Sequence, residues 1–274
     1  MSIAQACEDL AAEAAALRAV AAGADPEAVT PFYGWRVRDS IEHMVTLDRL
    51  ATLSLSDPAR FEVERARFAE GTKPPSPDTP REAAFVRIKA YETTRLDLLS
   101  WPQLLAAWEA GLADLRAAAT GCAEDAKVAW FAAPMRAQTL VNARQMEVWG
   151  YGQDVFDLLR VRRAEGERVR NVVEFGVRTL GFSFANRGLP VPEPRPFLSL
   201  TSPAGEVWTW NDPAAPSRVE GAAADFCLVA TQRRNVADTA LKVTGAAAQA
   251  WMRIAQCITG PPLDGPAPGV RAWG

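Results

Sequence analysis

Four polar residues in the segment RQMEVWGYGQD, positions 144–154, are spaced as they would be along one face of a helix. Arg144, Glu147, Tyr151 and Asp154 follow one another at intervals of three and four residues. The rest of this helix is apolar nearly all round, which is typical of a buried helix. A buried helix that carries a guanidinium, carboxylates and a phenol is a candidate for acid–base chemistry or for binding a cation.

A second segment places a carboxylate where an apolar side chain is expected. Residues 36–55 have the spacing of an amphipathic helix, and Asp48 falls inside its apolar arc. A buried carboxylate must be paired, protonated or bound to a cation. His43, the single histidine of the chain, lies at the edge of the same arc. Any Ser–His–Asp triad would have to use His43, and no site with several histidines can be built.

These polar groups also have a purely structural interpretation. Asp48 could pair with an arginine such as Arg144 while His43 only packs, and the polar residues of 144–154 could satisfy one another. Two helices that each present buried polar groups favour a site, because helix bundles hold ligands and metal ions between facing helices. We therefore predict four catalytic residues, which are His43, Asp48, Glu147 and Tyr151.

The elements that position these residues follow from the hydrophobic periodicity. Helical spacing predicts helices over residues 3–22, 36–55, 81–99, 100–119, 137–160 and 168–186. The Ser100 to Gln103 stretch, SWPQ, has the form of a capping box. After the proline-rich connector at 186–196 the pattern alternates, and FLSLTS and EVWTWN flank a hairpin signal. We predict an α+β protein: a four- or five-helix bundle at 1–190 and a small mixed α/β domain at 191–274.

Composition and charge limit the class of protein. The chain has 274 residues, 49% hydrophobic and 23% charged, which is ordinary for a globular protein. Its net charge of −3 does not favour nucleic acid or an anionic membrane as partner. The four scattered cysteines indicate reduced thiols, and we find neither a signal peptide nor an apolar run of spanning length. We expect a cytoplasmic monomer or homodimer that binds a small-molecule substrate and neither nucleic acid nor membrane.

Several motifs, in order along the chain, resemble those of a known family. They are TPFYGWRVRDSIEHM at 30–44, VAWFAAPM at 128–135, ARQMEVWGYGQDV at 143–155 and GVRTLGFSFANRGLP at 176–190. This set is similar to the DinB-like superfamily, and more closely to the mycothiol-dependent maleylpyruvate isomerase family. WTW, FCLVATQRR and LKVTG continue the resemblance, so that it covers almost the whole chain.

The resemblance implies a bundle that holds one divalent metal, such as zinc or nickel, and an activity that uses a low-molecular-weight thiol. In isomerases of this family the metal ligands are a histidine of the second helix and the pair E-x-x-x-H of a later helix. His43 and Glu147 stand at the first two positions, whereas the third carries Tyr151. A phenol binds a metal well only after losing a proton of pKa about 10. The site resembles a metal site that has lost one ligand, with Asp48 as a possible replacement.

The resemblance also implies that an arginine of the carboxy-terminal domain contributes to the thiol or substrate end of the site. Arg233 and Arg234 stand in the corresponding segment, ATQRRN, and a guanidinium there would suit a substrate carboxylate. Alternatively, they lie at a solvated helix end, where arginine is favoured by the helix dipole. We include Arg144 and Trp130 with these two as predicted substrate-binding residues.

Three functions are compatible with these residues. The first is a thiol- or metal-assisted isomerase or transferase. The second is a metal-free isomerase or cyclase of a biosynthetic pathway, in which His43, Glu147 and Tyr151 are acid–base groups. The third is a non-catalytic binder of a small molecule between the helices.

Overall fold

The computed structural model describes residues 1–76, 78–80, 82–258 and 260–271. The protein has an α+β fold and forms two compact units, Met1–Arg162 and Arg163–Gly274. Helices make up most of the first unit, and the second unit combines helices with a four-stranded sheet. Within the described residues, no helix is both long enough and apolar enough to cross a membrane.

The first unit is the predicted helix bundle. Its helices are α1 (Ile3–Ala21), α2 (Val37–Ser56), α3 (Pro58–Gly71), α4 (Ala83–Leu96), α5 (Trp101–Thr120) and α6 (Ala137–Leu159). The α1 helix packs on α6 and α2 on α5, while contacts of α1 with α5 and of α2 with α6 close the bundle. The α3 and α4 helices pack on α2 and on each other. A short antiparallel ribbon, β1 (Lys127–Val128) and β2 (Met135–Arg136), precedes α6.

The sequence of α6 explains its central position. Its side chains are buried on nearly every face from Ala137 to Phe156. A helix of this kind is stable only where other helices surround it, because its apolar surface is not confined to one stripe. Polar side chains on α6 therefore have to find their partners inside the protein.

Sequence periodicity predicted the ends of the bundle helices closely but assigned no element to α3. The predicted capping box is present at the start of α5, where Gln103 Oε1 accepts the Ser100 backbone N–H at 2.8 Å. The α3 helix buries only Phe61 and Phe68, so its apolar periodicity is weak. Its start is marked instead by Asp57, which accepts the Arg60 backbone N–H at 3.1 Å.

The second unit contains a mixed sheet in the order β4-β3-β5-β6. Its elements are α7 (Val169–Arg178), α8 (Leu180–Ala185), β3 (Phe197–Thr201), β4 (Val207–Trp210), β5 (Arg218–Ala222), α9 (Ala223–Ala230), a 3-10 turn (Val236–Asp238), β6 (Lys242–Thr244) and α10 (Ala246–Ile254). The predicted hairpin is confirmed, since β3 and β4 are antiparallel with Leu200 opposite Trp208. The β3 strand is parallel to β5, a strand that the sequence analysis did not assign.

The two compact units divide between Arg162 and Arg163. The predicted domain boundary, near residue 190, was placed at the proline-rich connector, which lies later in the chain. The α7 helix packs on α9, and α8 packs on α10, so both helices belong to the second unit. The predicted helix 168–186 is divided at Thr179 into α7 and α8. Helical periodicity shows that these segments bury a face, but it does not show which unit that face joins.

Candidate active site

The single histidine lies where three helices of the bundle meet. His43 of α2 is only 5% exposed, and each nitrogen of its ring faces a carboxylate. Nδ1 lies 2.9 Å from Glu92 Oε1 of α4, and Nε2 lies 3.1 Å from Glu147 Oε2 of α6. An ionised carboxylate only accepts hydrogen bonds, so this geometry suits a ring that is protonated on both nitrogens.

The surrounding charges favour the same protonation state. Burial by itself lowers the pKa of His43, but the charge of Glu92 and the hydrogen bond to Glu147 outweigh it and raise this pKa to about 9. The ring is therefore an imidazolium at neutral pH. A buried imidazolium holds a proton that can be donated within the site.

Arg144 connects the two carboxylates of the predicted site. Its side chain is fully buried, with Nε 2.8 Å from Asp48 Oδ1 and Nη1 2.7 Å from Glu147 Oε2. The second oxygen of Asp48 accepts the indole N–H of Trp108 at 3.1 Å. The pairing of Asp48 with Arg144 is the one that the structural interpretation of the sequence proposed, and the partners of the two Asp48 oxygens are Arg144 and Trp108.

The three carboxylates differ in their protonation chemistry. For Glu147 burial raises the pKa, but the charge of Arg144 and the hydrogen bond to His43 lower it to about 2, so this group is a permanent carboxylate. For Asp48 and Glu92 burial is also the largest effect, and it leaves the pKa of each above its ordinary value despite their partners Arg144 and His43. Glu147 is thus the fixed acceptor at Nε2, and Glu92 is the partner of Nδ1.

Glu92 was not among the residues predicted from the sequence. It is fully buried, and its Oε2 has no hydrogen-bond partner among the described residues. One signal was available in the sequence, because Glu92 lies seven residues after Phe85 on the face that α4 buries. A glutamate at such a position requires a partner, and the only histidine of the chain is the one it meets.

Tyr151 lies beside His43, within an aromatic cluster. Its ring stacks on Trp35 with centroids 5.2 Å apart and an interplanar angle of 11°. The edge contacts are to His43, at 4.8 Å between ring centroids, and to Phe32, at 5.1 Å. Asp154, the last member of the polar stripe on α6, is fully buried. The structure therefore brings together His43, Glu147 and Tyr151, with the phenol ring packed against the imidazole.

The cluster is accessible from the side of Glu147. The Glu147 side chain retains 16% exposure, whereas Arg144 and Asp48 retain none and Glu92 retains 1%. A small molecule that reaches the cluster would therefore meet Glu147 and the Nε2 side of His43 first. The Nδ1 side is held by Glu92, whose side chain is buried.

The remaining predicted residues lie in other surroundings. Trp130 belongs to a different aromatic cluster, where it stacks on Phe61 with centroids 5.8 Å apart. In the second unit, Arg233 and Arg234 follow α9 and are 0% and 3% exposed, so the alternative of a solvated helix end is wrong. Arg234 lines a cavity of about 500 Å³ together with Gln232 and residues of the 264–267 segment. A role of either arginine at the His43 site stays a prediction.

The donor set does not fit the metal that the resemblance implied. A catalytic zinc site uses three protein ligands, whereas here the third position is the packed ring of Tyr151. Across residues 1–76, 78–80, 82–258 and 260–271, no group of three or more His, Cys, Asp or Glu side chains is placed to hold a metal ion. Glu147 is neutralised by the guanidinium of Arg144 instead.

Comparison with known families agrees with the resemblance found in the sequence. The family model described as the mycothiol maleylpyruvate isomerase N-terminal domain matches residues 7–156, a range that contains most of the helix bundle, including His43, Glu92 and Glu147. The chain belongs to this family, and its helix bundle is consistent with the DinB-like superfamily.

Two similar proteins come from Mycobacterium tuberculosis, one from strain CDC 1551 / Oshkosh and one from strain ATCC 25618 / H37Rv, and both carry the description of an uncharacterized protein. Each is 36% identical over 243 residues, which are 88% of this chain and 88% of the relative. Among solved structures, the mycothiol-dependent maleylpyruvate isomerase is 16% identical and a histidine-to-alanine mutant of it 14% identical. Both have a TM-score of 0.51 and cover 85% of this chain and 90% of their own. At this identity, the likeness shows a shared fold.

Proposed function

We propose that this protein is a thiol-dependent enzyme that isomerises or transfers a group of a small molecule, with His43 as its acid–base residue. One observation carries the proposal: the only imidazole of the chain is fixed between two carboxylates, Glu92 and Glu147, inside the bundle. Membership of the mycothiol maleylpyruvate isomerase N-terminal domain family supports the thiol and the class of reaction. Mycothiol is accordingly the thiol that we propose.

The imidazolium of His43 supplies two kinds of assistance to such a reaction. Its positive charge lowers the pKa of a thiol placed nearby, which increases the fraction of reactive thiolate. Its Nε2 proton can be transferred to an oxygen or carbon atom of the substrate on which negative charge develops. Glu147, with a pKa of about 2, stays ionised and keeps the Nε2 proton directed towards the accessible side.

Glu92 and Tyr151 act on His43 rather than on the substrate. Glu92 holds Nδ1 at 2.9 Å and so fixes the orientation of the ring. The Tyr151 and Trp35 rings stack on each other, and both contact the imidazole of His43 and restrict its movement. In this proposal the charge that activates the thiol and the proton that reaches the substrate both come from His43, so neither role is assigned to a divalent metal.

The test combines thiol binding with turnover. Calorimetry with mycothiol should show binding to the wild-type protein. Maleylpyruvate is the first substrate to assay, because the solved structure with a similar fold is described as a maleylpyruvate isomerase. We expect His43→Gln to lower kcat by roughly 10²- to 10⁴-fold, the usual contribution of acid–base catalysis. Thr46→Val, which removes a hydroxyl bonded to the Glu42 carbonyl one turn away, is the matched control and should keep kcat within about twofold.

The same measurements separate the other functions. Turnover of a substrate without mycothiol would favour the second function, an isomerase or cyclase that uses neither a thiol nor a metal. Binding of small molecules that is unaffected by His43→Gln, with no turnover of any, would favour a non-catalytic binder. Full activity in His43→Gln would remove His43 from the mechanism and overturn the proposal.

A further inference from the structure

The guanidinium of Arg144 contacts two carboxylates of the site, those of Asp48 and Glu147. Its Nη1 pairs with Glu147 Oε2, the same oxygen that faces His43 Nε2. Its Nε pairs with Asp48, and its Nη2 lies 3.6 Å from the sulfur of Met44. The side chain is fully buried, so this cation is a permanent part of the site and not a surface group that solvent screens.

A divalent metal in a helix bundle neutralises carboxylates and fixes the side chains that bind it. Arg144 meets both requirements here with atoms of the chain. It is positively charged at every accessible pH, and its rigid guanidinium is ion-paired with two carboxylates at once. It orients Glu147, and through Glu147 it fixes the Nε2 side of His43.

We propose that Arg144 supplies the cation of this site, in the place where the family resemblance implies a divalent metal. The proposal deepens the proposed function, because it makes Arg144 a positioning residue for Glu147 and His43. It does not depend on which thiol or substrate the protein uses.

With Arg144 as the cation of the site, the Tyr151→His substitution alone is not expected to create a metal site. That variant has the E-x-x-x-H pair at 147 and 151, which with His43 gives two imidazoles and a carboxylate, a set that zinc accepts. With Arg144 in place, however, a dication on Glu147 would lie next to the guanidinium and be repelled by it. A metal site therefore requires both the third ligand and the removal of the guanidinium.

The experiment measures zinc and nickel binding by calorimetry on tag-free protein, with elemental analysis of the purified samples. The wild-type protein and Tyr151→His should bind neither metal stoichiometrically. The double variant Arg144→Met, Tyr151→His should bind at least about tenfold more tightly than Tyr151→His, because one buried repulsion is removed. The matched control is Arg38→Met, Tyr151→His, since Arg38 is a second buried arginine of the bundle that pairs with Glu42. It should gain no affinity.

Each outcome decides the question. Stoichiometric zinc or nickel in the wild-type protein or in Tyr151→His, with Arg144 present, would overturn the proposal. A folded Arg144→Met, Tyr151→His protein that gains no affinity would overturn it too, as would an equal gain in the Arg38 control. If the double variant does not fold without metal, refolding it with zinc should raise the recovered folded fraction, and no recovery counts against the proposal. Failure of thiol-dependent turnover would instead contradict the proposed function alone.

Discussion

Two buried arginine–carboxylate clusters lie on α2 and its neighbours, and they differ in how completely their polar atoms are paired. The first, which we call the structural cluster, consists of Arg38, Glu42 and Thr93. The second, the site cluster, consists of Arg144, Asp48, Glu147, His43 and Glu92. Both contain charges that would be costly to bury alone. Burial of charge is therefore not what distinguishes a site from a structural link in this bundle.

The structural cluster is closed. Arg38 Nε lies 2.6 Å from Glu42 Oε1, and its Nη2 donates to the carbonyl oxygens of Leu96 and Leu99 at the end of α4. The second oxygen of Glu42 accepts the Thr93 hydroxyl at 2.8 Å. Both carboxylate oxygens have partners, and the arginine also donates to carbonyl oxygens at the end of α4 and just after it.

The site cluster is incompletely paired, since the buried Nη1 of Arg144 is ion-paired with Glu147 but has no hydrogen-bond partner among the described residues. Glu92 Oε2 is buried without a hydrogen-bond partner among the described residues, and Glu147 is the one carboxylate of the cluster with appreciable exposure. The group between them is His43, whose ordinary pKa is nearer to neutral pH than that of any carboxylate. An incomplete buried network around a titratable group is the feature that marks a functional site, because stability alone favours complete pairing.

The largest expected difference between the clusters is in stability. Arg144→Met leaves two buried carboxylates, Asp48 and Glu147, without their cation and should lower the free energy of unfolding by about 3–5 kcal/mol. Arg38→Met leaves Glu42 with the Thr93 hydroxyl and should cost about 1–3 kcal/mol. Urea unfolding at pH 7 measures both. Equal losses of unfolding free energy in the two variants would contradict the difference in charge pairing between the two clusters.

The second prediction concerns alkaline pH. The pKa of His43 is about 9 in the folded protein, against 6.5 for an unperturbed histidine, so its stabilising contribution is fully present below pH 6.5 and is lost as pH rises through 9. The loss amounts to about 3 kcal/mol for a shift of this size. Urea unfolding from pH 7 to 10 should show this loss in the wild-type protein and in Arg38→Met. The same slope in His43→Gln would assign it to other groups.

The smallest expected effect lies in the structural cluster. Thr93→Val removes the hydroxyl that donates to Glu42 and should lower the free energy of unfolding by about 1–2 kcal/mol, as for a hydrogen bond to a charged group. Thr94→Val, on the exposed side of the same helix, is the matched control and should change it by less than about 0.5 kcal/mol. Thermal and urea unfolding at pH 7 compare the two. Indistinguishable variants would show that the Thr93 bond contributes nothing.

Helical periodicity predicted most of the bundle, because the apolar stripes of α1, α2 and α5 repeat clearly along the chain and α6 is a long segment that is apolar on nearly every face. The α3 helix buries two phenylalanines and the β5 strand is short, so both gave signals too weak to assign. The polar stripe of α6 and the position of Asp48 could also be recognised in the sequence, because these residues interrupt the apolar pattern that predicts the helices. A polar residue on an apolar face is a local feature of the sequence.

Which polar groups pair was decided only by the tertiary structure. Residue types and spacing singled out His43, Asp48, Glu147 and Tyr151, but they left open whether Arg144 or a metal neutralises the carboxylates. Packing of α4 against α2 brings Glu92 to His43, a contact between residues 49 positions apart. Spacing along one helix fixes which side chains share a face, whereas a charge finds its partner across helices, where distance depends on how the whole bundle packs.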